Sequence, residues 1–91
     1  MYELIYTRQM ERDYKLMEKR GADMSKLIKV TNMLQTGEPL PRKYQDHPLK
    51  GKWKNCRDCH VADDWILIYQ IDNGTLKLIA LRTGTHSDLQ L

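Results

Sequence analysis

Three histidines, His47, His60 and His86, are the side chains best suited to moving protons near neutral pH. None falls in a stretch with helical periodicity; they occupy a loop, a strand end and the tail. Asp64 and Arg82 lie in or beside the neighbouring strand-like runs. This set supplies what metal-free RNA cleavage needs: a base for the 2′-hydroxyl proton, an acid for the departing 5′-oxygen, and a cation for the charge gathering on the phosphorane. Any one of these histidines alone reads more simply as an exposed or locally bonded side chain. Their shared placement beside an acid and a guanidinium carries the chemistry.

A second feature is electrostatic. Between Arg42 and Arg57 lie Arg42, Lys43, Lys50, Lys52, Lys54 and Arg57, opposed by Asp46 and interleaved with Tyr44, His47 and Trp53. Cations that neutralise phosphates, with aromatics that stack on unpaired bases, are the requirements for holding single-stranded nucleic acid. Lys50, Lys52, Lys54 and Arg57 are therefore the candidate RNA-binding residues, against the plainer reading of a solvated basic loop. The net charge of +3 is too small to decide the matter by itself.

Cys56-Arg57-Asp58-Cys59-His60 spells the Cys-x-x-Cys-His pattern of covalent haem attachment. An extended strand sends Cys56 and Cys59 to opposite faces, which removes the geometry for haem, a redox pair or a zinc knuckle. No second ligand pair stands at matching spacing. The expectation is no cofactor and no metal.

Ninety-one residues, 41% hydrophobic and 30% charged, suit one globular domain. No apolar run approaches the ~20 residues that cross a bilayer, and MYELIYTRQM lacks the apolar centre of a signal peptide. A cytoplasmic protein with reduced cysteines and no membrane association is expected.

The positioning elements follow from period and punctuation. Residues 2–6 form a β-prone run; Thr7 caps a helix carrying Met10, Tyr14 and Met17 on one face, with Gly21 as its stop. Asp23 caps a second helix whose stripe is Met24, Leu27, Ile28, Thr31 and Leu34, ended by Gly37 and Pro39. A proline-rich loop holding His47 leads to three strands, 52–60, 65–71 and 75–83. The order β-α-α-β-β-β predicts an α+β fold, a helix hairpin packed on one face of a mainly antiparallel four-stranded sheet. With Val61-Ala62-Asp63 as a loop, His60 lies opposite Asp64. Even-numbered side chains then share the open face, and Trp53, Cys59, Trp65, Leu67, Tyr69 and Ile71 form the core. A two-residue Asn73-Gly74 turn would place Arg82 on the core face. A three-residue Asp72–Gly74 loop, favoured because an unpaired buried arginine is costly, places it across from Asp64.

The motifs DHPLKGKWK (residues 46–54), RDCHVADDWILIY (57–69) and LRTGTHSDL (81–89) resemble those of the YafQ-like toxins of the RelE family, in order and spacing over nearly the whole chain. The resemblance implies a RelE-like fold and a type II toxin that cleaves mRNA, usually on the translating ribosome, and is held inactive by a cognate antitoxin. By position it implies a catalytic set of His47, His60, Asp64 and His86, supported by Arg82. The family's tail often carries an aromatic after its final histidine; here the tail is Leu89-Gln90-Leu91. Two rival functions are a non-catalytic RNA-binding module on the same basic face and a structural partner protein.

Overall fold

Thr7 joins the first two elements. Its hydroxyl oxygen accepts from the Met10 amide at 3.0 Å, capping the helix that follows, and its hydroxyl donates to the Leu81 carbonyl at 3.0 Å. The helix start is thereby tied to the last strand. The computed structural model describes all 91 residues: β1 (Glu3–Tyr6), α1 (Arg8–Lys19), α2 (Met24–Gln35), β2 (His47–Pro48), β3 (Arg57–Ala62), β4 (Trp65–Asp72), β5 (Lys77–Gly84) and α3 (His86–Leu89). Short 3-10 turns at Arg42–Tyr44 and Gly51–Trp53 flank β2. No helix is long and apolar enough to cross a membrane.

The sheet has five strands in the order β1-β5-β4-β3-β2. β1 runs parallel to β5 and the other pairings are antiparallel. The α+β arrangement and the helix hairpin are as expected; the additional strand is the two-residue β2, formed where His47 and Pro48 pair with Asp58 and Arg57. The second expected strand, 52–60, starts only at Arg57, because Gly51, at φ +67°, turns the chain through the 3-10 segment.

Both hairpins differ from expectation in register. Asp63 and Asp64 form a two-residue turn closed by the Ala62–Trp65 pair, and a bulge between His60 and Ala62 puts His60 opposite Ile66. The slip is two residues, so the alternation survives: even-numbered side chains of β3 and β4 still share a face. The second hairpin closes at Asp72–Lys77 around residues 73–76. The Asp72 carboxylate accepts from the Gly74 and Thr75 amides at 3.0 and 3.2 Å and from the Thr75 hydroxyl at 2.8 Å, which favours this wider turn over either tighter one. A bulge at Leu81 then sets Arg82 beside Ile68, on the face away from the main core.

That main core lies between the helices and the sheet: Met10, Met17, Leu27, Val30 and Leu34 meet Cys59, Trp65, Leu67, Tyr69, Leu78 and Ala80. In α2 the inward stripe includes Val30 where Ile28 was expected; Ile28 is exposed. The opposite face of the sheet is not bare. Cys56, Ile66, Ile68 and Leu89 form a second buried cluster against which Leu49, Trp53 and Leu81 pack. Trp53 therefore leaves the main core assigned to it, since its 3-10 turn breaks the strand alternation. Removing Leu89 from solvent contributes about 1.5–3 kcal/mol, which holds α3 down on the sheet.

Candidate active site

Gly84, Thr85, Asp88 and Arg20 build the platform for His86. A Cβ at Gly84 would stand 2.9 Å from Asp88 Oδ2, so only glycine lets β5 turn so closely into α3. Thr85 and Asp88 then form a reciprocal capping box: the Thr85 side chain accepts from the Asp88 amide, and the Asp88 carboxylate accepts from the Thr85 amide, each at 3.0 Å. Arg20, the C-cap residue of α1, donates to both Asp88 oxygens at 2.6 and 3.2 Å. The Arg20 hydrogen bond, followed by that from Thr85, holds the Asp88 carboxyl far below the usual carboxylate range. His86 is the first residue of the short helix so anchored.

Asp64, in the β3–β4 turn, meets it. One oxygen of Asp64 accepts from the His86 amide at 2.9 Å and from Nδ1 of its ring at 2.6 Å. A carboxylate can only accept, so Nδ1 carries the hydrogen and Nε2 is left to exchange a proton. Those bonds, the backbone one first, lower the Asp64 pKa and keep its charge in place under mildly acidic conditions. The His60 ring stands edge-on to His86, centroids 5.4 Å apart at 69°. Asp64, His60 and His86 thus converge, even though the turn, rather than cross-strand pairing with His60, delivers Asp64.

His47 occupies a second acid–histidine pair. Its Nδ1 donates to the Pro48 carbonyl at 3.1 Å, and its Nε2 lies 2.8 Å from Asp58 Oδ1. That second contact is close but off the hydrogen-bonding direction, and Asp58 Oδ1 has no other hydrogen-bond partner. Asp58 is only 3% exposed. Burial raises its pKa, against the opposing pull of His47, His60 and His86. All three histidines therefore lie within the electrostatic reach of one buried carboxyl. Sequence reasoning gave it no role, because its burial beside the histidines depends on the fold.

Arg82 is already engaged. Nε donates to Asp13 Oδ2 at 2.7 Å and Nη2 to Oδ1 at 3.3 Å, while the Thr83 amide also donates to Asp13. Asp13 is buried, and removing either partner of so enclosed a pair costs about 2–4 kcal/mol. Nothing in the helical pattern distinguished Asp13 from a surface acid.

The expected RNA-binding residues divide. Lys50, Lys52 and Lys54 lie exposed around the 3-10 turn, with Lys52 Nζ 5.7 Å from the Trp53 ring centre. Arg57 is separated from them: it donates to Asp46 at 3.2 Å, beside Tyr69, whose hydroxyl donates to the same oxygen at 2.6 Å. Its odd position turns it to the helix side, where it anchors the long loop. Cys59 is buried in the main core and Cys56 in the second cluster, so the two thiols face opposite ways, and desolvation raises both pKa values.

Residues 2–91 match the family described as bacterial toxin of type II toxin-antitoxin system, YafQ. The chain is 47% identical over 85 residues to the mRNA interferase toxin YafQ of Escherichia coli K12, covering 92% of this chain and 90% of that protein. The crystal structure of YafQ from E. coli BL21(DE3) superposes with a TM-score of 0.90 at 42% identity over 98% of both chains. A chain of the E. coli DinJ-YafQ toxin-antitoxin complex gives 0.87 at 45% identity, covering 97% of this chain and 96% of that one.

Proposed function

The chain belongs to the YafQ family of bacterial type II toxins, and from that membership and its histidine geometry we propose that it is an endoribonuclease that cleaves mRNA. The observation that carries the mechanism is the Asp64–His86 pair, with Nδ1–H committed to the carboxylate and Nε2 left to work beside His60.

The reaction is attack of a ribose 2′-oxygen on the adjacent phosphorus. The new O–P bond forms as the bond to the 5′-oxygen breaks, giving a 2′,3′-cyclic phosphate and a 5′-hydroxyl. Proton transfer at each oxygen falls to His60 and His86, one accepting as the other donates. His86 is the better-prepared partner, because Asp64 fixes its ring and stabilises the imidazolium. His47 has one nitrogen bonded to the Pro48 carbonyl and the other against Asp58, so it holds the Asp58 end of the site in place and leaves proton transfer to the other two histidines. Arg82 reaches the phosphate with the guanidinium edge that Asp13 leaves free, and its charge opposes the build-up on the phosphorane. Lys50, Lys52 and Lys54 hold the strand. No step calls on a metal or cofactor.

Such a toxin works in the cytoplasm, on mRNA at the translating ribosome, and is neutralised by a cognate antitoxin; a relative is found in the DinJ-YafQ toxin-antitoxin complex of E. coli. The test is to induce the gene and map RNA 5′ ends in the cell beside a His86→Ala control. New 5′ ends within coding sequences that vanish in the control are expected. Equal cleavage by both forms would overturn the assignment of His86.

A further inference from the structure

The larger of the two clefts in the molecule, about 440 Å³, opens between α2, the 3-10 turn at Arg42–Tyr44 and the end of β3. Lys26, Lys29, Lys43, Gln45, His60 and Asp63 are among its lining residues. Lys26 and Lys29 stand three apart on one helix, so their side chains rise from the same face. Lys43 comes from the turn opposite, its Nζ placed 5.1 Å from the Tyr44 ring centre. Asp63 is the only acid in the lining, and every salt bridge in the molecule is made by an arginine or a histidine. Three ammonium groups thus surround one concavity without carboxylate partners. The smaller cleft, with Glu38 and Asp46 against Arg57, has the opposite balance.

Two further observations give this cleft a direction. His60 lines it and also stands edge-on to His86, so the cleft runs up to the acid–base pair. In addition, β2 covers β3 only at Arg57 and Asp58, which leaves the edge from Cys59 to Ala62 without a strand neighbour and the cleft wall open. We propose that this lysine cleft, of which the basic stretch read in the sequence contained Lys43 alone, holds the phosphodiester backbone of the RNA strand next to the scissile bond. Its size lies within the usual range for small-ligand sites, roughly 300–1,000 Å³, enough for a nucleotide unit entering from His60. The cleft extends the substrate path from His60 onto α2. The assignment rests on the endoribonuclease reading of the neighbouring histidines.

The test uses a single-stranded RNA with 2′-O-methyl riboses throughout, which cannot be cleaved, and follows its binding by fluorescence anisotropy across a salt series. The variant is Lys26→Gln, Lys29→Gln and Lys43→Gln together; these side chains are exposed and unpaired, so the fold is kept. Lys15→Gln, Lys19→Gln and Lys77→Gln together form a control of equal charge. Each phosphate neutralised on a single strand contributes about 0.7 to the slope of log K against log salt. The cleft variant is therefore expected to lose a slope of about 2 and at least roughly ten-fold in affinity at low salt, while the control keeps most of both. His86→Ala should bind as wild type yet fail to cut mRNA on translating ribosomes. An unchanged slope in the cleft variant, an equal loss in the control, or no binding by wild type overturns the cleft assignment. So does a cleft variant that keeps its RNA affinity but loses the antitoxin, which would make the cleft a site for an acidic peptide. Wild type that cuts mRNA while the cleft variant binds normally leaves the nuclease standing and removes only the cleft; wild type that never cuts removes the nuclease itself.

Discussion

At the scale of single residues, the chemistry turns on which nitrogen of His86 carries its proton. Asp64→Asn keeps the side-chain shape but replaces a charged acceptor with an amide able to present either end, so Nδ1–H is no longer enforced. We expect cleavage to fall on the order of 10²–10⁴-fold with little change in melting temperature, measured by single-turnover kinetics on ribosome-bound mRNA. A loss below about three-fold would reduce Asp64 to a bystander. Asp58 offers a test of the opposite kind. Its folded pKa is raised, chiefly by burial, so the folded state holds a proton that the unfolded state releases once pH passes the ordinary aspartate value near 4. Stability contributed by neutral Asp58 is present below that value, declines as pH rises to the folded pKa, and stays lost above it. Asp58→Asn removes this decline. Urea unfolding at pH 4 and pH 7 should find the variant gaining on wild type at the higher pH; a gain at the lower pH would contradict the burial argument.

At the scale of elements, His86 depends on a residue far away in sequence. Arg20 grips Asp88, Asp88 completes the cap on α3, and α3 begins with His86. The Arg20–Asp88 pair is exposed to solvent, so its contribution to global stability is small. Its effect on position is larger: Arg20→Met should lower the rate of the chemical step about 10-fold or more, Arg20→Lys should recover part of it, and melting should barely move. Loss of RNA affinity with the chemical step intact would mean that Arg20 touches RNA instead of positioning His86. Neither the Thr85–Asp88 cap nor the helix it starts was expected in the tail, and the Arg20 clasp could not be, because no periodicity links the end of one helix to the start of another.

The same contrast explains how far the fold could be read. Helix limits followed from Thr7, Asp23, Gly21 and Gly37, whose effects are local. The two faces of β3 and β4 also came out correctly, because the register slip at Val61 was even and a strand's side chains repeat every two residues. What was missed depends on distant partners or on bulges. Trp53 left the core once Gly51 bent the chain, Ile28 and Val30 exchanged roles in α2, and Arg82 reached its face through a wider turn and a bulge. Arg57 was grouped with the basic loop until Asp46 and Tyr69 claimed it. Of the candidate site, His60, Asp64 and His86 were legible as a group, whereas Asp58, Asp13 and the α2 lysines took on meaning only in three dimensions.

At the scale of the whole molecule, one sheet face carries histidines above a small apolar cluster, with lysines along the adjoining loop and cleft. Such a face needs covering in a cell full of RNA. An antitoxin segment combining acidic and apolar residues suits it, with ordering on binding offset by charge pairing and burial. Purified with the product of its neighbouring gene, the toxin should lose cleavage, and the complex should weaken with added salt and with Lys52→Glu plus Lys54→Glu. A tight complex that still cuts mRNA at the free rate would place the antitoxin elsewhere on the surface.

The central claim, that side chains alone drive 2′-oxygen attack, is tested most directly by the ends of the products. Purified toxin is added to ribosomes stalled on an mRNA in which Mg²⁺ is held at the ribosome's requirement and other divalent metals are chelated, and the fragments are read by mass spectrometry. The account predicts a 2′,3′-cyclic phosphate, or the 3′-phosphate from its hydrolysis, facing a 5′-hydroxyl, and no cleavage where the scissile nucleotide is 2′-deoxy. A 5′-phosphate on the downstream fragment, or cutting at the deoxy position, would contradict it.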